Sequence, residues 1–256
     1  MVKPSSSSAS RTALVIGGGG ALGSAVVERL LASGRFGRLQ VLVTQGFRAT
    51  VSGLEPRVVE SFDGEAPATA AAHTAMLIFD RARHANGRED AFLRPQPEQL
   101  PQIAAWLHRQ GVLHLIIVMP HDPFGLPDAL KRGLANLDEH SVAALGFQHV
   151  VLMRSAQAAT APRADRWLQR LADGALAQLR FMLPAAEQPV RLRKVAALAV
   201  EVALQLPQHP AGTRVLPHEL VWQAAQRADG ASLVHAWLAG TAGELEPDTR
   251  GAIRRM

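Results

Sequence analysis

The sequence predicts an α/β fold: a doubly wound parallel sheet with helices on both faces and a helical C-terminal part. Three observations carry this. Short apolar runs alternate with amphipathic stretches through the first half, and the first run passes directly into four glycines and a helix. The last third then shows apolar residues mostly at helical spacing.

With 256 residues, 48% of them hydrophobic, the chain can bury a core as one large domain, expected over residues 11–240. Residues 1–10 hold a serine run where a signal peptide would need an apolar segment, so they read as a disordered leader, and 241–256 as a frayed tail. No apolar run reaches the roughly 18 residues of a membrane span, so no membrane partner is expected. The chain has no cysteine, which excludes disulfides, thiolate metal sites and cysteine nucleophiles and fits a cytoplasmic location. A net charge of +5 raises the question of nucleic acid. The arginines are scattered and only 5% of residues are aromatic, so nucleic acid is not an expected partner. An anionic cofactor would suit the same charge bias.

Taken in order, Thr12 begins a buried strand, and a helix beginning within the glycines ends at Gly34. Leu39 to Thr44 is a second strand, Arg57 to Phe62 a third and Ala75 to Phe79 a fourth, with a weak helix over 66–73. Arg81 to Gln96 is polar and broken by Gly87 and Pro95, a loop at the edge of the sheet where ligands bind. Glu98 to Gln110 forms a helix, Val112 to Val118 the most apolar strand, and Met119 to Pro127 a proline-rich loop. A helix over 130–145 and a strand from Phe147 to Met153 follow. Helices are then expected over 163–183 and 193–206, a short strand from Thr213 to Leu216, and helical pattern beyond Pro217. Trp222 and Trp237 are candidates for a homo-oligomer contact.

The glycines carry the phosphate-binding spacing, both as Gly18-x-Gly20-x-x-Gly23 and as Gly17-x-x-Gly20-x-x-Gly23. Gly17 or Gly18 permits the tight turn, Gly20 a close approach of backbone to a pyrophosphate, and Gly23 close packing of helix on strand. Ala21 and Leu22 place their N–H groups at the start of the helix, where an anion is held. At the end of the second strand, where an acid would read the ribose of NAD, the chain has Thr44, with Arg48 close behind. An arginine without an acid suits a 2′-phosphate, so NADP is expected over NAD. Asp63 stands where an acid could meet the adenine amino group. The ten histidines show no zinc spacing, and no Gly-x-Ser-x-Gly elbow marks a hydrolase.

With these pieces placed, the chain resembles the atypical short-chain dehydrogenases/reductases. In particular it resembles the branch of NAD(P)-binding oxidoreductases related to the Tat-interacting protein. The resemblance is carried by the glycine turn, by AFLRPQPEQLPQIAAWLHRQGVLHLIIVMP and LANLDEHSVAALGFQHVVLMRSAQ, and by RKVAALAVEVALQLP, together spanning residues 11–225. It implies a Rossmann sheet, a nicotinamide cofactor over the C-terminal strand edge, and a substrate pocket under the C-terminal helices. It also implies a Ser or Thr just after the fifth strand and a Tyr-x-x-x-Lys on the next helix.

The chain departs from that pattern. It contains no tyrosine, and Val118-Met119-Pro120 stands where the hydroxyl residue belongs. Lys131 lies on the matching helix without its tyrosine, and His121 follows the fifth strand with a side chain suited to general acid work near neutral pH. The expected function is NADP(H) binding, with hydride passing between the nicotinamide and a small carbonyl or unsaturated substrate, His121 the first candidate for proton donor and Lys131 the second. The alternative is a non-catalytic NADP(H)-binding regulator or scaffold.

Overall fold

A computed structural model of the protein describes residues 11–47, 51–63, 72–80, 91–121, 140–156, 190–227 and 229–241. Its strands are β1 (Thr12–Ile16), β2 (Arg38–Val43), β3 (Leu54–Val58), β4 (Thr74–Ile78), β5 (His114–His121), β6 (His149–Ala156) and β7 (Gly212–Leu216). They form one sheet in the order β3-β2-β1-β4-β5-β6-β7, and every neighbouring pair is parallel. This is a Rossmann-like α/β fold. The order runs outward one way from β1 to β3 and the other way from β4 to β7, so the chain reverses between β1 and β4. A crevice opens at such a reversal, outside the carboxyl ends of the two strands.

Alternate residues of each inner strand enter opposite faces, which is why these strands read as unbroken apolar runs. Ala13, Val15, Met76, Ile116 and Val118 pack on one side with α1 (Ala21–Ser33) and α3 (Leu192–Gln205). Leu14, Ile16, Leu77, Leu115 and Ile117 pack on the other with α2 (Leu100–Arg109). Helix α1 stops at Gly34, whose left-handed φ of 61° lets its N–H donate to the carbonyl of Leu31, as the sequence predicts. Helix α2 is entered through Pro97 and a reciprocal box between Gln96 and Gln99. On the first face, α4 (His218–Gln226) and α5 (Gly230–Leu238) complete the cover. Ser232 donates to Asp229 at the start of α5, which holds that carboxyl below its usual range.

Two strands differ from expectation. β3 lies three residues earlier, over Leu54–Val58, and includes Pro56 in register with Val41. It is an edge strand, where a missing N–H can face away from the ladder. β5 and β6 run further than expected, to His121 and Ala156, so Met119 to His121 belong to a strand rather than a loop. The carbonyl of Val118 accepts from Phe79 on the β4 side, and backbone direction alternates along a strand. Pro120 therefore turns its missing donor toward β4, which has already ended at Ile78. The helices expected over 66–73, 130–145 and 163–183 fall wholly or largely outside the described residues, although 140–143 are helical.

At the opposite, N-terminal edge of the sheet, His114 and His149 begin β5 and β6 and pair in register. Their Nδ1 atoms are 2.9 Å apart, and His149 Nε2 lies 3.0 Å from the carbonyl of His209. A carbonyl only accepts, so His149 carries its proton on Nε2 and accepts at Nδ1 from His114. Burial, with His149, His73 and Arg11 nearby, lowers the His114 pKa to about 4. Among the described residues, no helix is long and apolar enough to cross a membrane.

Candidate functional site: the crevice between β1 and β4

The glycine turn follows β1 into this crevice. Gly17 has a φ of 87°, and a Cβ there would collide with the backbone carbonyl of Ile78 on β4. At Gly18 a Cβ would lie 2.9 Å from Val41 Cγ1, and at Gly23 it would run into the carbonyl of Gly17. Gly17 and Gly23 thus answer to the backbone itself, Gly17 to the neighbouring strand β4 and Gly23 to the turn on which its helix packs closely. Ala21 opens α1 after the extended Gly20, and Ser24 makes the first helical bond, 2.8 Å to the carbonyl of Gly20. The side chain of Leu22 is fully buried, but its N–H points into the crevice.

That N–H meets Asp80. The residue lies just past β4, and its Oδ2 accepts from Leu22 N at 2.7 Å. The space that a Cβ on Gly20 would fill is taken by the same carboxylate. Sequence reasoning missed Asp80, because the polar loop leaving β4 was read from Arg81 onward. The available signal was an acid at the carboxyl end of the strand across the reversal from the glycines.

The end of β2 is covered in turn. Thr44 donates from N (2.8 Å) and from Oγ1 (3.2 Å) to the carbonyl of Ala91, and Leu93 N donates to the carbonyl of Leu42. Phe92 bridges to Val43 and stacks at a tilt on Phe47, with ring centroids 5.5 Å apart. Beside this covering lies a cavity of about 320 Å³, lined by Thr44, Glu60, Ser61, Phe62, Arg94 and Gln102 among others. Asp63 stands next to it, accepting from Ser61 Oγ and, at 2.8 Å, from Gln102 Nε2 on α2. Arg94 is a second residue that sequence reasoning missed.

The crevice therefore brings Gly17, Gly18, Gly20, Ala21, Leu22 and Gly23 together at the carboxyl ends of the strands, with Thr44 and Asp63 along the same edge. His121 ends β5 at that edge, paired with Ala156. Arg48 and Lys131 fall outside the described residues. Chemically, the bare glycine backbone and the start of α1 suit a diphosphate, whereas the Leu22 donor already has an anion.

No protein-family model matches the chain, and no curated protein matches its sequence. Several solved structures are similar at low identity. UDP-N-acetylglucosamine 4-epimerase from Bacillus cereus is 14% identical, covering 86% of this chain and 84% of its own, with a TM-score of 0.49. A nucleoside-diphosphate-sugar epimerase from Staphylococcus aureus is also 14% identical, covering 94% and 93%, with a TM-score of 0.48. An oxidoreductase of the short-chain dehydrogenase/reductase family from Burkholderia thailandensis is 18% identical, covering 80% and 90%, with a TM-score of 0.45. The fold stands on this chain's own strand order, and no substrate passes to it from these proteins.

Proposed function

We propose that this chain binds NADP(H) in the crevice between β1 and β4, as an atypical short-chain dehydrogenase/reductase of the Tat-interacting-protein-like branch. The observation that carries the reading is the glycine turn. Where Gly17, Gly18, Gly20 and Gly23 stand, a Cβ would collide with neighbouring atoms, and the turn delivers the start of α1 to the reversal of the sheet. The diphosphate is assigned to the backbone of this turn, including the Ala21 and Leu22 N–H groups. The adenosine end is assigned to the cavity by Thr44, with Asp63 beside it. NADP is favoured over NAD because Thr44, Gln45, Gly46 and Phe47 offer no acid after β2, while Arg48 follows and Arg94 lines the cavity. Glu60 shares that cavity wall and is the counterweight.

When bound, the nicotinamide supplies hydride chemistry, and the protein's own task is to place a proton beside it. His121, at the carboxyl end of β5, is the assigned proton donor to a small carbonyl or unsaturated substrate, and Lys131 is the second candidate. A second use of the same site, as a redox-responsive ligand site of a regulator or scaffold, is favoured by one fact: the chain has no tyrosine.

Titration with NADPH, NADP, NADH and NAD, followed by NADPH oxidation against a panel of carbonyl compounds, tests both readings. Preferential NADP(H) binding is expected, and failure to bind either dinucleotide overturns the proposal. Turnover that vanishes in His121→Ala with NADPH affinity retained assigns the proton donor, and turnover retained in that variant removes His121 from the reaction. Binding without turnover in the unaltered protein selects the regulator.

A further inference from the structure

Helix α1 has no capping side chain at Gly20 and no acidic residue in its first turn. Its positive end is nevertheless satisfied, from another element and at a distance of 58 residues in sequence, by the Asp80 carboxylate on Leu22 N. Gly20 leaves the room that this carboxylate occupies. A charge-assisted bond to an exposed helix end is the same interaction by which such a turn holds a diphosphate. One donor cannot serve both anions.

We propose that Asp80 is an internal stand-in for the diphosphate, an affinity-setting residue that the dinucleotide must displace from Leu22. The inference rests on the NADP(H) reading and adds to it a reason for weak binding by the unaltered chain. Asp80 forms no part of the proposed proton transfer. It sets how strongly the crevice competes for an anion. Neutral ligands lacking the diphosphate, such as dihydronicotinamide riboside, gain nothing from its removal, because they do not call on the helix end.

Calorimetric titration with NADPH compares the unaltered protein with Asp80→Asn and Asp80→Ser. Asn keeps an acceptor for Leu22 N but no charge, and Ser leaves the position small and neutral. At least roughly tenfold tighter NADPH binding in either variant is expected, with binding of dihydronicotinamide riboside unmoved. Affinity equal to or below that of the unaltered protein in a folded variant overturns the proposal while the NADP(H) reading stands. NADPH bound by neither the unaltered protein nor folded variants overturns both. Where a variant does not fold, the Asp80 carboxyl carbon of the unaltered protein is followed by NMR on saturation with NADPH. Its resonance is expected to shift as the bond to Leu22 is lost, and a resonance that stays in place overturns displacement.

Discussion

Acid should weaken this protein through one buried pair, and the effect is large enough to isolate. His114 is 7% exposed, and its Nδ1 proton is committed to His149, whose own Nε2 proton is committed to the carbonyl of His209. The arrangement is satisfied without charge. A further proton puts a cation into a site where burial, His149, His73 and Arg11 all oppose it, hence the fall in the His114 pKa from 6.5 to about 4. Unfolded chain takes that proton near pH 6.5, folded chain only near 4, so stability is intact above the first value and falls as pH drops toward the second. The full shift corresponds to a ceiling of about 3 kcal/mol, reduced to roughly 2 kcal/mol by water reaching the sheet edge. His114→Asn places an amide N–H near the Nδ1 position and does not titrate. Urea denaturation at pH 7.5 and pH 4.5 should show the unaltered protein losing roughly 2 kcal/mol more than the variant between the two values. Equal losses in both proteins would refute the assignment of the acid effect to this pair.

The remaining predictions concern packing. Gly23→Ala drives a Cβ into the carbonyl of Gly17, so it should cost at least about 2 kcal/mol in denaturant melts and weaken NADPH binding. Gly34→Ala meets nothing within 4 Å and is penalised only by its φ of 61°, so it should cost about 1 kcal/mol and leave binding unchanged. Trp106 is 2% exposed, lies edge-on to Phe62 with centroids 5.6 Å apart and sits under the Arg57 guanidinium. Trp106→Ala should therefore cost about 3 to 5 kcal/mol in the same melts.

What was legible in the sequence was local. The glycine spacing, the Gly34 stop, the helices of α2 and α3 and the inner strands all depend on neighbours within a few residues, and periodicity reports such neighbours directly. β3 was misplaced because its pattern is that of an edge strand, with Pro56 tolerated and Val58 47% exposed, rather than of a buried run. β5 was cut short at Val118, ahead of Pro120, because the direction of the proline's backbone depends on where β4 ends, which no window along β5 contains. Asp80 and Arg94 were missed for the same reason on a larger scale. The partner of Asp80 lies 58 residues away, and Arg94 reaches its cavity only because Ala91 to Leu93 lie across the end of β2.

The borrowed cap of α1 also orders events during synthesis. Its 13 residues are too few for a stable isolated helix in water, and neither end carries a favourable charge of its own. The glycine turn leaves the ribosome well before Asp80, so in the nascent chain the first βα unit waits open. Only when β4 has been made and laid beside β1 does the start of the helix acquire its anion. The segment that looks most like a self-contained motif thus takes its closing contact from a residue 58 positions further along the chain.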